Sequence, residues 1–190
     1  MERCFGENDE LMRVYHDTEW GRPVRDEQLL YEKICLEALQ SGLSWSLILR
    51  KRAGLREAFA DFDPGAVARY DEGDIERLLG DGRVIRNRRK LEAIVRNAQA
   101  TVELRRAGRP LRELVWSHRP PARAAPQAWS DVPALTDESK AIAKELKRAG
   151  FAFVGPTTVY ATMQAVGLVN DHLAWCGLRD DVAREQERAA

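Results

Sequence analysis

Two cysteines and two histidines sit at opposite ends of this 190-residue chain: Cys4 and His16 near the start, His172 and Cys176 near the end. Thiolates and imidazoles are preferred zinc ligands, and a Cys2His2 set fills a tetrahedral shell without leaving a position for water. That is how structural zinc sites are built. In the run NDHLAWC, the His-x-x-x-Cys spacing predicts that His172 and Cys176 share one face of a helix, with Cβ atoms roughly 5–6 Å apart. Such a site would pin the ends of the fold together and leave the chemistry elsewhere. Spacing alone keeps other readings open, because the two halves lie more than 150 residues apart. Cys176 also suits a small core position, and either histidine a buried, satisfied site or a helix cap.

A second set of residues could bind a planar ligand. On a helical wheel Glu37 falls at the edge of the apolar stripe of Leu30 and Ile34, beside Lys33 and Gln40. It reads either as an acid lining a cleft or as a surface partner of Lys33, a pair worth a few tenths of a kcal/mol. Phe5, Tyr15, Trp20, Tyr31 and Trp45 fall in the same part of the chain. Rings of this kind usually pack cores, and rings beside a carboxylate also receive a flat cation.

The third set is the turn Gly80-Asp81-Gly82-Arg83-Val84-Ile85 with Arg86, Arg88, Arg89 and Lys90 after it. Backbone amides at the start of a helix favour a phosphate oxygen, and neighbouring cations add charge-assisted contacts. A plain helical hairpin that needs glycine to turn is the alternative.

The elements that must carry these residues read as helices almost throughout. Apolar periodicity and caps predict helices over 26–41, from Ser44 to Arg52, from Asp63-Pro64 to Tyr70, and over 72–79, 86–106 and 136–149, with another from Pro156. The helix from Pro156 is apolar nearly all round, which predicts a central position. Pro120, Pro121, Pro126 and Pro133 mark 118–133 as a surface loop. Charge and alanine dominate from Arg179, so residues 179–190 are expected to be a disordered tail. No strand pattern or internal repeat is apparent.

The length suits one domain, residues 1–178, with the hairpin at about 72–106. Hydrophobic residues at 44% and charged residues at 32% describe an ordinary soluble chain. No run approaches the ~20 apolar residues of a membrane span and the start is not a signal peptide, so an intracellular, cytoplasmic, monomeric protein is expected. Three cysteines in a reducing compartment favour metal over disulfides. Net charge is zero, yet 83–106 holds eight basic residues against two acidic ones.

Several blocks carry a resemblance: Met1-Glu2-Arg3-Cys4, Tyr15-His16-Asp17-Thr18-Glu19-Trp20-Gly21, Ile34-Cys35-Leu36-Glu37, Gln40-Ser41-Gly42-Leu43-Ser44-Trp45, Phe151-Ala152-Phe153-Val154-Gly155-Pro156-Thr157, Met163-Gln164-Ala165 and Gly167-Leu168-Val169-Asn170-Asp171-His172. In order and content they resemble the 3-methyladenine DNA glycosylase I family, from residue 1 to about 177. That resemblance implies an all-α, helix-hairpin-helix DNA glycosylase fold. It also implies a structural Zn2+ on Cys4, His16, His172 and Cys176, joining the N- and C-terminal segments. The expected substrate is double-stranded alkylated DNA, from which 3-methyladenine is released.

The resemblance further implies that Glu37 and Tyr15 hydrogen-bond the extruded base, with Glu37 as the candidate catalytic residue. Trp45 would stack on the base, with Trp20 and Phe5 completing the pocket, and Leu43 after Gly42 would enter the gap left in the duplex. Gly82, Arg83, Arg86 and Arg88 are the expected phosphate contacts. No pocket lysine matches a Schiff-base nucleophile, so a monofunctional hydrolase without lyase activity is expected. One departure stands out. Many members carry tryptophan two residues after the first cysteine, where this chain has Phe5-Gly6, and Met12 replaces an aromatic before Tyr15.

Overall fold

In the computed structural model, which describes residues 1–189, Asp9 and Asp26 start the first two helices by accepting amides of the opening turn. These helices are α1 (Glu10–Thr18) and α2 (Glu27–Gln40). Every residue of α2 from Leu30 to Leu39 is buried, Glu32, Lys33 and Glu37 included. A helix covered on all sides must be central, and the remaining helices are laid around it.

Ser44 caps α3 (Trp45–Ala58) by accepting the Leu47 amide at 3.3 Å. Asp63 and Pro64 open α4 (Pro64–Val67), which stops before the expected Tyr70. The hairpin follows as α5 (Glu72–Gly80) and α6 (Arg88–Arg106), then α7 (Leu111–Trp116), α8 (Asp137–Arg148), α9 (Pro156–Ala165) and α10 (Arg179–Arg188). Among the described residues there is no strand, and no helix is long and apolar enough to cross a membrane. Helices α3, α6, α7 and α9 all pack on α2.

Buried charge ties α2 to its neighbours. Lys33 donates to Glu19 at 2.6 Å, Arg52 reaches Glu19 at 2.7 Å and Glu32 at 2.8 Å, and Arg56 reaches Glu32 at 2.9 Å. Removing one member would strand a buried charge, which typically costs about 3–5 kcal/mol.

Two expectations are corrected. The segment after Arg179 is a helix, not a disordered tail. Val182 and Gln186, one turn apart, form a buried face, and Gln186 Nε2 donates to the carbonyls of Gly21 at 2.7 Å and Val169 at 3.1 Å. Its composition is polar, yet two residues at helical spacing suffice to dock it. In addition, His172 and Cys176 lie in irregular chain between α9 and α10. A turn closed by the Cys176 amide on the Leu173 carbonyl at 2.9 Å brings them together instead of a helical face.

Candidate active site and metal centre

A cavity of about 250 Å³ opens where α1, α2, α3 and α9 meet, lined by Phe5, Met12, Tyr15, Trp20, Glu37, Gln40, Trp45, Trp129, Ala161 and Gln164. The rings form a collar. Tyr15 and Trp45 have centroids 5.2 Å apart, Phe5 and Trp20 meet edge-on at 5.1 Å, and Trp129 lies 6.2 Å from Trp20 and 6.3 Å from Phe5. Tyr31 is fully buried in the main core and bonds the Ile94 carbonyl, so it takes no part.

Glu37 is the acid of this collar. It does not pair with Lys33, which turns to Glu19 and lies over the Tyr15 ring at 4.9 Å. Burial pushes the Glu37 carboxyl up to about 8, with Lys33 pulling the other way. Burial likewise raises the Tyr15 hydroxyl, which stays protonated and is therefore a donor. A protonated or partly ionised carboxyl facing electron-rich rings lowers its energy by admitting a cation. A lining of aromatic faces and one acid is the chemistry that suits a flat, positively charged guest.

Cys4, His16, His172 and Cys176 form a buried cluster directly behind the collar, their ligand atoms all within 4.8 Å of one another. His172 Nδ1 lies 3.3 Å from Cys176 Sγ and 3.7 Å from Cys4 Sγ, and His16 Nε2 lies 3.5 Å from Cys176 Sγ. Zinc bonds of roughly 2.0–2.3 Å at tetrahedral angles set ligand spacings of about 3.5 Å, so the arrangement fits that ion. The outward nitrogens are also occupied: His16 Nδ1 bonds Asp17 at 2.8 Å and His172 Nε2 bonds the Trp20 carbonyl at 3.2 Å. Both tautomers thus leave the inner nitrogen unprotonated, as metal-ligating histidines require, and that of His16 accepts the Cys4 amide at 3.3 Å. Burial also holds both imidazoles below their usual pKa, in the neutral form a metal needs.

Beside the cavity, Gln40 to Leu43 form a tight turn, with the Leu43 amide on the Gln40 carbonyl at 2.7 Å. Gly42 sits there at φ +76°, where a side chain would be strained. Leu43 is half-buried against the core and Trp45 opens the next helix. Lys90 holds this turn from the hairpin: its ammonium donates to the carbonyls of Leu39 at 2.8 Å and Ser41 at 2.6 Å. It therefore does not point to solvent with the other cations after the hairpin turn. Arg83 pairs with Asp81 and Glu57, and Arg88 with Glu72, Glu76 and Glu92, so neither offers a bare charge. Arg86 and Arg89 are exposed and form no ion pair among the described residues.

Residues 5–180 match the family model for methyladenine glycosylase. The chain belongs to the methyladenine glycosylase family. It is 46% identical over 180 residues to DNA-3-methyladenine glycosylase 1 of Escherichia coli (strain K12), covering 93% of this chain and 96% of that protein. A solved structure of 3-methyladenine DNA glycosylase I superposes with a TM-score of 0.90 at 43% identity, covering 93% of this chain and 98% of the other. The Staphylococcus aureus 3-methyladenine DNA glycosylase I, whose structure addresses 3-methyladenine recognition, is 36% identical with a TM-score of 0.89 over 94% and 96% of the two chains.

Gly6 has φ +93°, and a Cβ there would lie 2.6 Å from the Arg13 amide nitrogen, so no larger residue fits two places after Cys4. Phe5 and Met12 both line the cavity. Trp129, in the proline-rich loop, supplies the further ring, although nothing in that loop's composition distinguished it from a surface residue. Gln164 was visible within the block Met163-Gln164-Ala165, without a role. Gln40 and Ala161 were likewise unassigned.

Proposed function

We infer that the chain is a monofunctional DNA-3-methyladenine glycosylase, which hydrolyses the bond between the extruded base and its sugar. The observation that carries this reading is the base-sized cavity of aromatic faces closed by one buried carboxyl. N3-methylation makes the nucleoside cationic, and its base departs neutral, so the bond is weak before any catalyst acts. A cavity that favours the cation over adenine concentrates the lesion, and flipping a damaged nucleotide out of the duplex takes only a few kcal/mol.

In this reading Trp45 stacks on the base while Glu37 and Tyr15 bond its edge. Glu37 also sits where its ionised form would steady positive charge as the sugar becomes oxocarbenium-like and water attacks. No lysine lines the cavity among the described residues, which supports hydrolysis without a Schiff base. The pair α5–α6 acts as the helix-hairpin-helix element, with the amides around Gly82 and the bare Arg86 and Arg89 facing the phosphates, and Leu43 on its Gly42 turn filling the vacated gap. Cys4, His16, His172 and Cys176 hold a structural Zn2+, which supplies cross-linking of the chain ends; four protein ligands leave it no place for water.

The test is release of free 3-methyladenine from methylated duplex DNA, followed by chromatography. E37Q is expected to lower that release at least tenfold. Intact activity in the variant withdraws the role of Glu37, and intact DNA with the parent protein reduces the chain to a lesion-binding module.

A further inference from the structure

Asp171 lies behind the base cavity with its side chain fully buried. Its Oδ2 accepts the Tyr160 hydroxyl at 2.7 Å and Gln164 Nε2 at 2.8 Å, and its Oδ1 accepts Arg123. Every neighbour is a donor. A guanidinium has no other capacity, and burial raises the Tyr160 pKa so that its proton stays in place. A carboxylate so surrounded only accepts, which fixes the Gln164 amide with its NH2 turned away from the cavity. The oxygen Oε1 is what remains for the wall that Gln164 forms.

Gln40 repeats the pattern on the opposite element. Its Nε2 donates to the Leu43 carbonyl at 3.0 Å, which likewise turns its oxygen outward. The donors of the cavity are the Tyr15 hydroxyl, the Glu37 carboxyl in its protonated form and the indole N–H groups, that of Trp45 buried without a partner, and its fixed acceptors are the two amide oxygens. Adenine derivatives carry an exocyclic amine with two hydrogens to give. Guanine and hypoxanthine derivatives carry a carbonyl at the same ring position.

We propose that Gln164, oriented by Asp171, is a specificity-determining residue that accepts a hydrogen bond from the exocyclic amine of the bound base and turns away purines with a carbonyl there. The proposal rests on the cavity being the base site. Its force comes from asymmetry: an acceptor facing an acceptor, away from water, leaves both unpaired, and such mismatches discriminate far more strongly than shape does. Because Asp171 locks the amide, Gln164 cannot flip to greet a carbonyl. An unanchored glutamine would accept either base.

Free 3-methyladenine and 3-methylhypoxanthine differ at that position and serve as probes, titrated against intrinsic tryptophan fluorescence. The parent protein, Q164M, Q164A and W45A are compared, with thermal melts reporting folding of each. The parent is expected to prefer the amine. Both Gln164 variants should lose about tenfold of that preference, through weaker binding of 3-methyladenine, while W45A weakens both bases alike and keeps the preference. An unchanged preference in both Gln164 variants, with W45A weakened, overturns the role of Gln164. No effect in any variant, W45A included, overturns the proposal by removing the base from the cavity.

Discussion

The ring of Trp20 meets the ring of His172 edge-on at 4.6 Å, and His172 Nε2 donates to the carbonyl of that same tryptophan at 3.2 Å. One of these residues lines the base cavity and the other belongs to the Cys/His cluster. Phe5 likewise meets His16 at 4.8 Å. The cluster is the back wall on which the aromatic collar leans.

Metal removal should therefore do two things. Stripping zinc with a chelator is expected to lower the thermal midpoint by ten degrees or more, because binding free energy to such sites is folding free energy. It should also weaken binding of free 3-methyladenine while the chain remains folded. Equal melting temperatures of stripped and loaded protein would refute the structural role.

Glu37 gives the free protein a distinctive pH response. Its carboxyl ionises near 4.5 in an unfolded chain and near 8 when folded, because of burial. The folded state binds the extra proton across that window, so stability falls as pH rises from about 4.5 to 8 and levels off above. The shift corresponds to something on the order of 5 kcal/mol. Urea denaturation at pH 4.5 and 8.5 should show E37Q gaining on the parent at the higher value; a gap independent of pH would contradict the raised pKa.

Trp129 should behave as part of the pocket despite being 46% exposed. W129A is expected to weaken free 3-methyladenine by about 1–2 kcal/mol, the range for a ring facing a base or cation. Its melting temperature should stay within a degree or two of the parent. Unaltered affinity would return the residue to the surface loop.

Lys90 should matter structurally and not through phosphate contact. K90M removes two charge-assisted bonds to the end of α2 and is expected to cost about 2–3 kcal/mol of stability. Excision should slow as the Gly42-Leu43 turn loosens, without change in the salt dependence of DNA binding.

The exposed arginines should show the converse. R86A and R89A are each expected to reduce the slope of log affinity against log salt by about 1, and R83A or R88A by less, since their charges are already paired. Equal slopes for all four would place the phosphate track elsewhere.

What could be read from residues alone divides by range. Asp26, Ser44, Asp63 and Pro64 announced their helices because caps act within one turn, and the Cys/His quartet was identifiable by ligand type. Helix α1, which carries Tyr15 and His16, is absent from that reading although Asp9 caps it and Leu11, Met12 and Tyr15 fall at helical spacing. The ion-pair partners of Lys33 and Arg88, Glu19 and Glu72 among them, and the carbonyls that Lys90 reaches were hidden because they are distant in sequence. Trp129 reaches the cavity only through the path of its loop, and the amide of Gln164 acquires direction only from Asp171, which folding puts behind it.

Since the Trp20 ring meets His172 edge-on, the wall of the aromatic cavity cannot be finished until nearly the whole polypeptide has been made. The N-terminal helices emerge early from the ribosome, but the wall behind them arrives last. A nascent or C-terminally truncated chain would thus hold Glu37 and Trp45 without a firm wall behind the hollow between them.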